Sequence, residues 1–201
     1  MSSRRRSTAS RRLSWLLRHG AGETGLAMDA AGWAAIDDVL AVLSIDRPSL
    51  DDAVATNTKR RLQVDGPRIR ACQGHSLEGT PVTLEALEAS WVVAESDGSL
   101  WHGTNVAAVA GIAAEGIRPV RRTHVHLAPG PSSLVGKRAA VDLLLEVAPA
   151  RLRAAGLGIF EAPNGVILVR RVPTAAIVGV RAETDRGRAS LTAARDQLAR
   201  D

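Results

Sequence analysis

Apolar residues fall into two patterns along the chain. In the first third they recur at helical spacing. Leu13, Leu16 and Leu17 share one face of a helix expected to run up to His19, with Gly20 placed where a left-handed cap would end it. Ile36, Val39, Leu40 and Leu43 mark a second helix with Asp37 and Asp38 in its first turn. A third is expected from Pro48-Ser49, with Leu50, Ala53 and Val54 inward. The spacing then changes. Arg61–Val64 and Arg68–Ala71 alternate apolar against polar on either side of Asp65-Gly66-Pro67, which predicts a β-hairpin. Three helices followed by a basic hairpin is the order of a winged-helix module. From Leu100 the pattern is strand-like, over 100–104, 124–127, 141–147, 158–161, 165–170 and 176–180, with one Ala-rich helix over 105–115 ended by Gly116.

The fold class expected is α+β in two lobes. Residues 1–9 are expected to be a disordered tail, 10–95 a winged-helix-like lobe, 96–182 a strand-rich lobe, and 183–201 a charged tail of mixed helical composition. The length of 201 residues allows each lobe its own core. With four Trp, one Phe and no Tyr, those cores must be built from Leu, Val, Ile and Ala.

Charge narrows the partners. The net charge of +5 is carried almost wholly by arginine, with Lys only at 59 and 137, which suits an anionic partner such as nucleic acid or a phosphorylated cofactor. The single cysteine, Cys72, excludes an intramolecular disulfide. Residues 1–12 lack the apolar core of a secretory signal, and no apolar run reaches the roughly 20 residues that span a bilayer. A soluble, cytoplasmic monomer with no membrane partner is expected.

Four clusters carry candidate chemistry. Arg18-His19 pairs a planar phosphate-binding fork with a group that titrates near neutrality; the competing reading is two basic residues complementing a helix dipole. Lys59-Arg60-Arg61 enters the hairpin, and Arg68 and Arg70 alternate on its far arm before Gln73-Gly74-His75-Ser76, either aimed at one anion or forming a solvated edge. Trp101-His102-Gly103-Thr104 precedes a helix whose N-terminal N–H groups would suit an anion. Arg121-Arg122-Thr123 leads into His124 and His126, which face one side of a strand. Cys72-x-x-His75 and His124-x-His126 have ligand-like spacings but no second closely spaced pair, so no metal is expected. G-x-S-x-G and the Walker pattern are absent.

The order of these pieces resembles the RNA 2′-phosphotransferase (KptA-type) family. L-R-H-G, D-x-x-G-W, N-x-K-x-R, I-R-A-x-Q-G-H-S, H-G-T, R-x-H-V-H-L and N-G-V-I-L stand collinearly over about residues 10–180. The resemblance implies a winged-helix-like RNA-binding lobe and an ADP-ribosyltransferase-like NAD-binding lobe. It also implies removal of an internal RNA 2′-phosphate with NAD+ as co-substrate. In that chemistry the 2′-phosphate attacks the nicotinamide ribose C1″ and expels nicotinamide; ribose O2″ then attacks phosphorus, leaving 2′-OH RNA and ADP-ribose 1″,2″-cyclic phosphate.

Carried over residue by residue, the resemblance places the catalytic set on Arg18, His19, Arg61 and Arg122. The three arginines would hold the transferring phosphate. His19 would be an acid or base around O2″, or a donor to phosphate. Arg60 is an alternative to Arg61, which the offset favours. His102, Gly103, Thr104, Asn164 and Gly165 would line the NAD+ site, and Arg68, Arg70, His75 and Arg138 would contact RNA or phosphate. Trp101 and Phe160 stand where the family often carries Tyr or Phe. Two rivals remain: an NAD-dependent ADP-ribosyltransferase acting on terminal RNA or DNA phosphates, and a winged-helix protein without catalysis.

Overall fold

A computed structural model describes residues 3–95, 97–136 and 140–199. The chain divides into two compact units, Met1–Trp91 with Arg121–Thr123, and Val92–Val120 with His124–Asp201. The sequence pattern suggested a single cut at 95/96. Two hydrogen bonds account for the difference: Trp91 Nε1 donates to Cys72 O at 3.0 Å, and Thr123 N–H to His75 O at 2.9 Å, both tying their segments to the first unit.

In the first unit, α1 (Ser3–Trp15) runs into a π turn at Leu16–Gly20 and on into α2 (Ala21–Thr24). Two expectations are corrected here. The tail expected to be disordered is helical from Ser3, and Ala9 is already buried in the core, which anchors the helix ahead of Leu13. Gly20 is not a left-handed cap, having φ −102°; the left-handed residue that ends the helix is Gly25 at φ +68°. Gly20 instead lies under the Trp15 ring, which a Cβ there would meet at 2.6 Å.

β1 (Ala34–Ala35) leads into α3 (Ile36–Leu43), which buries Ile36, Val39 and Leu43. α4 (Arg47–Ala55) is capped by Asp46, whose side chain accepts from Ser49 N–H, and buries Leu50 and Ala53. β2 (Leu62–Asp65) and β3 (Arg68–Ala71) form the hairpin, and β1 adds on the far side of β3 in the order β1-β3-β2. Leu13, Leu16, Leu17, Val39, Leu50 and Ile69 meet in one core. α5 (Leu84–Ala89) closes the unit.

The second unit holds two antiparallel sheets. β4 (Val92–Val93), β8 (Phe160–Glu161), β9 (Ile167–Val169) and β6 (Val125–Leu127) form one, in the order β4-β8-β9-β6. β5 (Leu100–Thr104), β7 (Leu143–Val147) and β10 (Ile177–Ala182) form the other, in the order β10-β7-β5. Trp101 and Ala128 exchange backbone hydrogen bonds of 2.9 and 2.8 Å, joining β5 to the segment after β6. Leu143, Leu145 and Val147 point into the larger core with Val125, Leu127 and Val169, while Leu144 faces Trp101 and Ala128 on the other side. Both faces of β7 are thus covered, which explains its unbroken apolar run.

Where one helix over 105–115 was expected, a 3₁₀ turn (Val106–Ala108) precedes α6 (Val109–Glu115), and Gly116 ends it at φ +72°. α7 (Pro149–Ala154) follows β7. The charged tail forms α8 (Asp185–Ala189) and α9 (Leu191–Leu198), with Ala194 in the core and Leu191 and Leu198 packed on it. Because Leu145 is fully buried, Leu145→Ala should destabilise the second unit by about 2–5 kcal/mol, read as a lower urea midpoint.

Candidate active site

Arg18 and His19 lie inside the π turn, not at a helix end, since α2 continues beyond them. A regular helix would pair Gly22 N–H with Arg18 O. The wider turn separates these groups, and the loop 76–80 takes both. Ser76 N–H donates to Arg18 O at 3.0 Å, and Gly22 N–H donates to Gly79 O at 2.8 Å. The dipole-complementing reading of Arg18-His19 therefore loses its basis.

The Arg18 guanidinium packs on the backbone of Gly74, where a Cβ would stand 3.3 Å from Cζ and Nε. Its Nε and Nη2 are covered and have no hydrogen-bond partner among the described residues. Burial first, then repulsion from Arg61 and Arg122, pushes its pKa down to about 10; the opposing pull comes from Cys72. That thiol supplies no counter-charge at neutral pH, because burial holds its own pKa at about 11. Covering a guanidinium without a counter-charge is costly.

Arg61 enters the cluster through the backbone. Asn57 Oδ1 accepts from Arg61 N–H at 3.5 Å, and Arg61 O accepts from Cys72 N–H at 2.9 Å at the mouth of the hairpin. Arg60, the alternative, has φ +44°, and its carbonyl takes the Cys72 thiol at 3.2 Å. Arg122 is exposed and is held by its neighbour Thr123, buried against His75 O.

His19 has its pKa lowered by desolvation, then by Arg18 and Arg122. Its Nδ1 lies 3.1 Å from Ser76 Oγ.

The structure does not bring Arg70 to this cluster. Arg70 stands opposite Gln63 and donates to its Oε1 at 2.9 Å, to Ser90 Oγ at 2.7 Å and to Ser90 O at 3.3 Å. Its guanidinium lies 4.6 Å from the centre of the Trp33 ring, over which Arg68 also sits, at 5.0 Å. Arg68 pairs with Asp65 at 3.2 Å. His75 is fully buried, with its ring against Gly32, where a Cβ would come within 2.7 Å of Nε2. Its carbonyl positions the Arg122 segment; its ring is walled off from solvent.

In the second unit, His102 Nδ1 lies 3.2 Å from His126 O, so it carries the proton and donates. Gly103 and Thr104 are buried on β5. The expected anion site at the following turn is already filled, since Val106 N–H donates to Asp142 Oδ2 at 3.2 Å. Asn164 and Gly165 form the β8–β9 turn, closed by Gly165 N–H to Ala162 O at 2.8 Å, with Gly165 at φ +79°. A Cβ at Gly165 would meet only Val135 Cγ2, at 3.9 Å, so the turn is open on that side. Arg138 lies outside the described residues. Among the described residues no group of three His, Cys, Asp or Glu could hold a metal, and no helix is long and apolar enough to cross a membrane.

Sequence reasoning passed over four contributors: Ser76, the close-approach glycines 74 and 79, and Asp142. Ser76 and Gly74 stood in the quoted Q-G-H-S motif. Gly79 and Asp142 act only through long-range contacts and left no local signal.

A family model described as RNA 2′-phosphotransferase, Tpt1 / KptA family, matches residues 4–171. Relatives named "Probable RNA 2′-phosphotransferase" include one from Burkholderia lata, 41% identical over 82% of this chain and 86% of its own length. Others come from Pseudomonas syringae pv. tomato, 38% identical over 86% and 94%, and Streptomyces coelicolor, 38% identical over 82% and 90%.

The electrostatics give a signed expectation. His19 titrates below 6.5 in the folded chain, so below that pH the unfolded chain binds more protons and stability falls as pH drops. A bound anion opposes this by raising the imidazole pKa. NMR titration of His19 should show a pKa below 6.5 that rises on adding inorganic phosphate, and Arg18→Ala should abolish most of the rise.

Proposed function

The chain belongs to the RNA 2′-phosphotransferase, Tpt1/KptA family, and we propose that it transfers an internal RNA 2′-phosphate to NAD+, releasing nicotinamide and ADP-ribose 1″,2″-cyclic phosphate. As a member of that family it is a transferase. The observation that carries the reading is the covered Arg18 guanidinium, whose Nε and Nη2 have no partner among the described residues, in the field of Arg61 and Arg122.

Unit one is read as the winged-helix-like RNA-binding lobe, on its three helices followed by the β2–β3 hairpin. Unit two is read as the ADP-ribosyltransferase-like NAD+-binding lobe. The protein acts in the cytoplasm as a monomer on this reading.

NAD+ supplies, when bound, the electrophilic ribose C1″ that the 2′-phosphate attacks with loss of nicotinamide, and the O2″ that closes the cyclic phosphate. The residues present fit such a group. His102 is fixed by the His126 carbonyl, Gly103 carries no side chain, and the Asn164-Gly165 turn is open where a Cβ would stand. These residues, with Thr104, would hold the dinucleotide. Its phosphates are not assigned to the Val106 N-terminus, which Asp142 occupies.

The two substrates bring both nucleophiles, so the protein has charge and protons to manage. Arg18, Arg61 and Arg122 neutralise the phosphate and the charge that builds on its oxygens as bonds form and break. Arg18 is covered and packed on Gly74 before substrate arrives, so little reorganisation is spent in bringing it to the phosphorus. His19, neutral at pH 7 when the site is empty, is placed to take the proton from O2″ as it attacks. Arg68 contributes a half-exposed charge beside Trp33 for the RNA strand, while Arg70 and His75 support the lobe from inside.

Arg18→Ala, Arg61→Ala and Arg122→Ala should each cost about 1.5–3 kcal/mol, or ~10- to 150-fold in turnover, with the fold retained. The assay is a synthetic RNA carrying one internal 2′-phosphate, with and without NAD+, resolved by gel and mass. His19→Ala should slow the second step more than the first, leaving ADP-ribosylated RNA to accumulate. Wild-type protein that stops at the ADP-ribosylated RNA would instead establish the one-step transferase, and no NAD+-dependent change would defeat the enzymatic reading.

A further inference from the structure

The hydroxyl of Ser76 has no role in the reading above, and its surroundings give it one. Ser76 Oγ lies 2.7 Å from Glu78 O and 3.3 Å from Arg18 O. Both are carbonyl oxygens and can only accept, so the single hydroxyl proton is committed to them. The third neighbour, His19 Nδ1 at 3.1 Å, therefore meets a lone pair on Oγ and must be the donor. A neutral imidazole whose Nδ1 carries the proton has its basic lone pair on Nε2.

We propose that Ser76 is a positioning residue for the phosphotransfer. By accepting from His19 Nδ1–H it holds the imidazole in one tautomer and one orientation, leaving Nε2 as the atom that takes a proton from the substrate hydroxyl. No bond of the substrate is made or broken by Ser76 itself. The step it serves moves one proton from ribose O2″–H to His19 Nε2 as O2″ bonds to phosphorus and the bond from phosphorus to the RNA 2′ oxygen breaks; that oxygen takes up a proton from water as the RNA 2′-hydroxyl, and His19 returns its own to solvent.

The placement of Ser76 is over-determined. Its N–H holds Arg18 O at 3.0 Å, its carbonyl accepts from Thr80 Oγ1 at 2.6 Å, and Gly79 in the same loop lies so close to His19 O that a Cβ would come within 2.5 Å. The loop thus grips the backbone on both sides of the His19 side chain. The acceptor moves with the ring it orients.

The inference rests on His19 acting as the proton acceptor in the proposed reaction, and the test separates the two claims. The tautomer of His19 is read directly from ¹⁵N chemical shifts and two-bond ¹H–¹⁵N couplings in protein labelled at histidine, without any substrate. Wild type should show the Nδ1–H form. Ser76→Ala, which keeps the backbone N–H to Arg18 O, should move His19 toward the Nε2–H form. It should also lower the rate of the second step about 10-fold, with KM for the 2′-phosphorylated RNA unchanged. Ser76→Thr retains the hydroxyl and should restore both readouts, which guards against a variant that is merely misfolded. An Nε2–H tautomer in wild type, or one unaltered in Ser76→Ala, overturns the proposal. A changed tautomer with an undiminished second step also overturns it, because the positioning would then serve no catalysis. Failure of wild type to act on the RNA at all falls on the proposed reaction, while the tautomer readings still decide what Ser76 does to His19.

Discussion

The π turn at Leu16–Gly20 is the constraint on which the surroundings of Arg18 and His19 depend. Widening one turn removes the pairing between Gly22 N–H and Arg18 O that a regular helix would make, and groups so released cannot be left bare inside a folded unit. Loop 76–80 resolves both at once, giving Arg18 O the Ser76 N–H and Gly22 N–H the Gly79 carbonyl. Cys72, Gln73, Gly74, His75 and Ser76 thereby become an extension of the hairpin that must come back to the helix. The Arg18 guanidinium is pressed onto Gly74, and the His75 carbonyl is left to catch Thr123 and bring Arg122 into the same unit. A straight helix in place of the π turn would leave the loop with nothing to complement.

Arg18 and Arg70 show how differently one fold can treat two covered guanidiniums. Arg70 is paid off in full by Gln63, Ser90 and the Trp33 ring, which is what structural burial of a cation demands. Arg18 keeps Nε and Nη2 without partners among the described residues and sits among like charges. The Cys72 thiol beside it stays protonated at neutral pH and relieves nothing. A protein selected for stability alone would place a carboxylate there. In the proposed reaction the incoming phosphate would supply the hydrogen bonds and the neutralisation that the protein withholds.

The sequence was most legible where a single element meets a single core. The α3 helix over Ile36–Leu43 follows directly from apolar periodicity, because one buried face decides it, and the hairpin follows from the alternation on either side of its turn. The clustering of Arg18, Arg61 and Arg122 was legible only through the collinear motifs, as nothing local relates positions that far apart. What escaped depends on long-range partners. Gly20 reads as a helix cap until the Trp15 ring is placed over it, and Val106 N–H reads as open until Asp142 arrives from the start of another strand. Alternation put Arg68 and Arg70 on one face of β3, but alternation carries no information on whether that face meets an anion or a tryptophan.

The same distinction bears on how the Q-G-H-S segment should be understood. A glycine followed by histidine and serine beside a cluster of arginines invites a reading as a phosphate-binding loop. The structure gives it a different task. Gly74 removes the side chain that would displace the Arg18 fork, His75 offers its carbonyl and buries its ring, and Ser76 spends its N–H and hydroxyl proton on main-chain carbonyls. Electrostatic stabilisation of a developing charge is effective when the charges that provide it do not have to move. The segment fixes the backbone around Arg18 and ahead of Arg122.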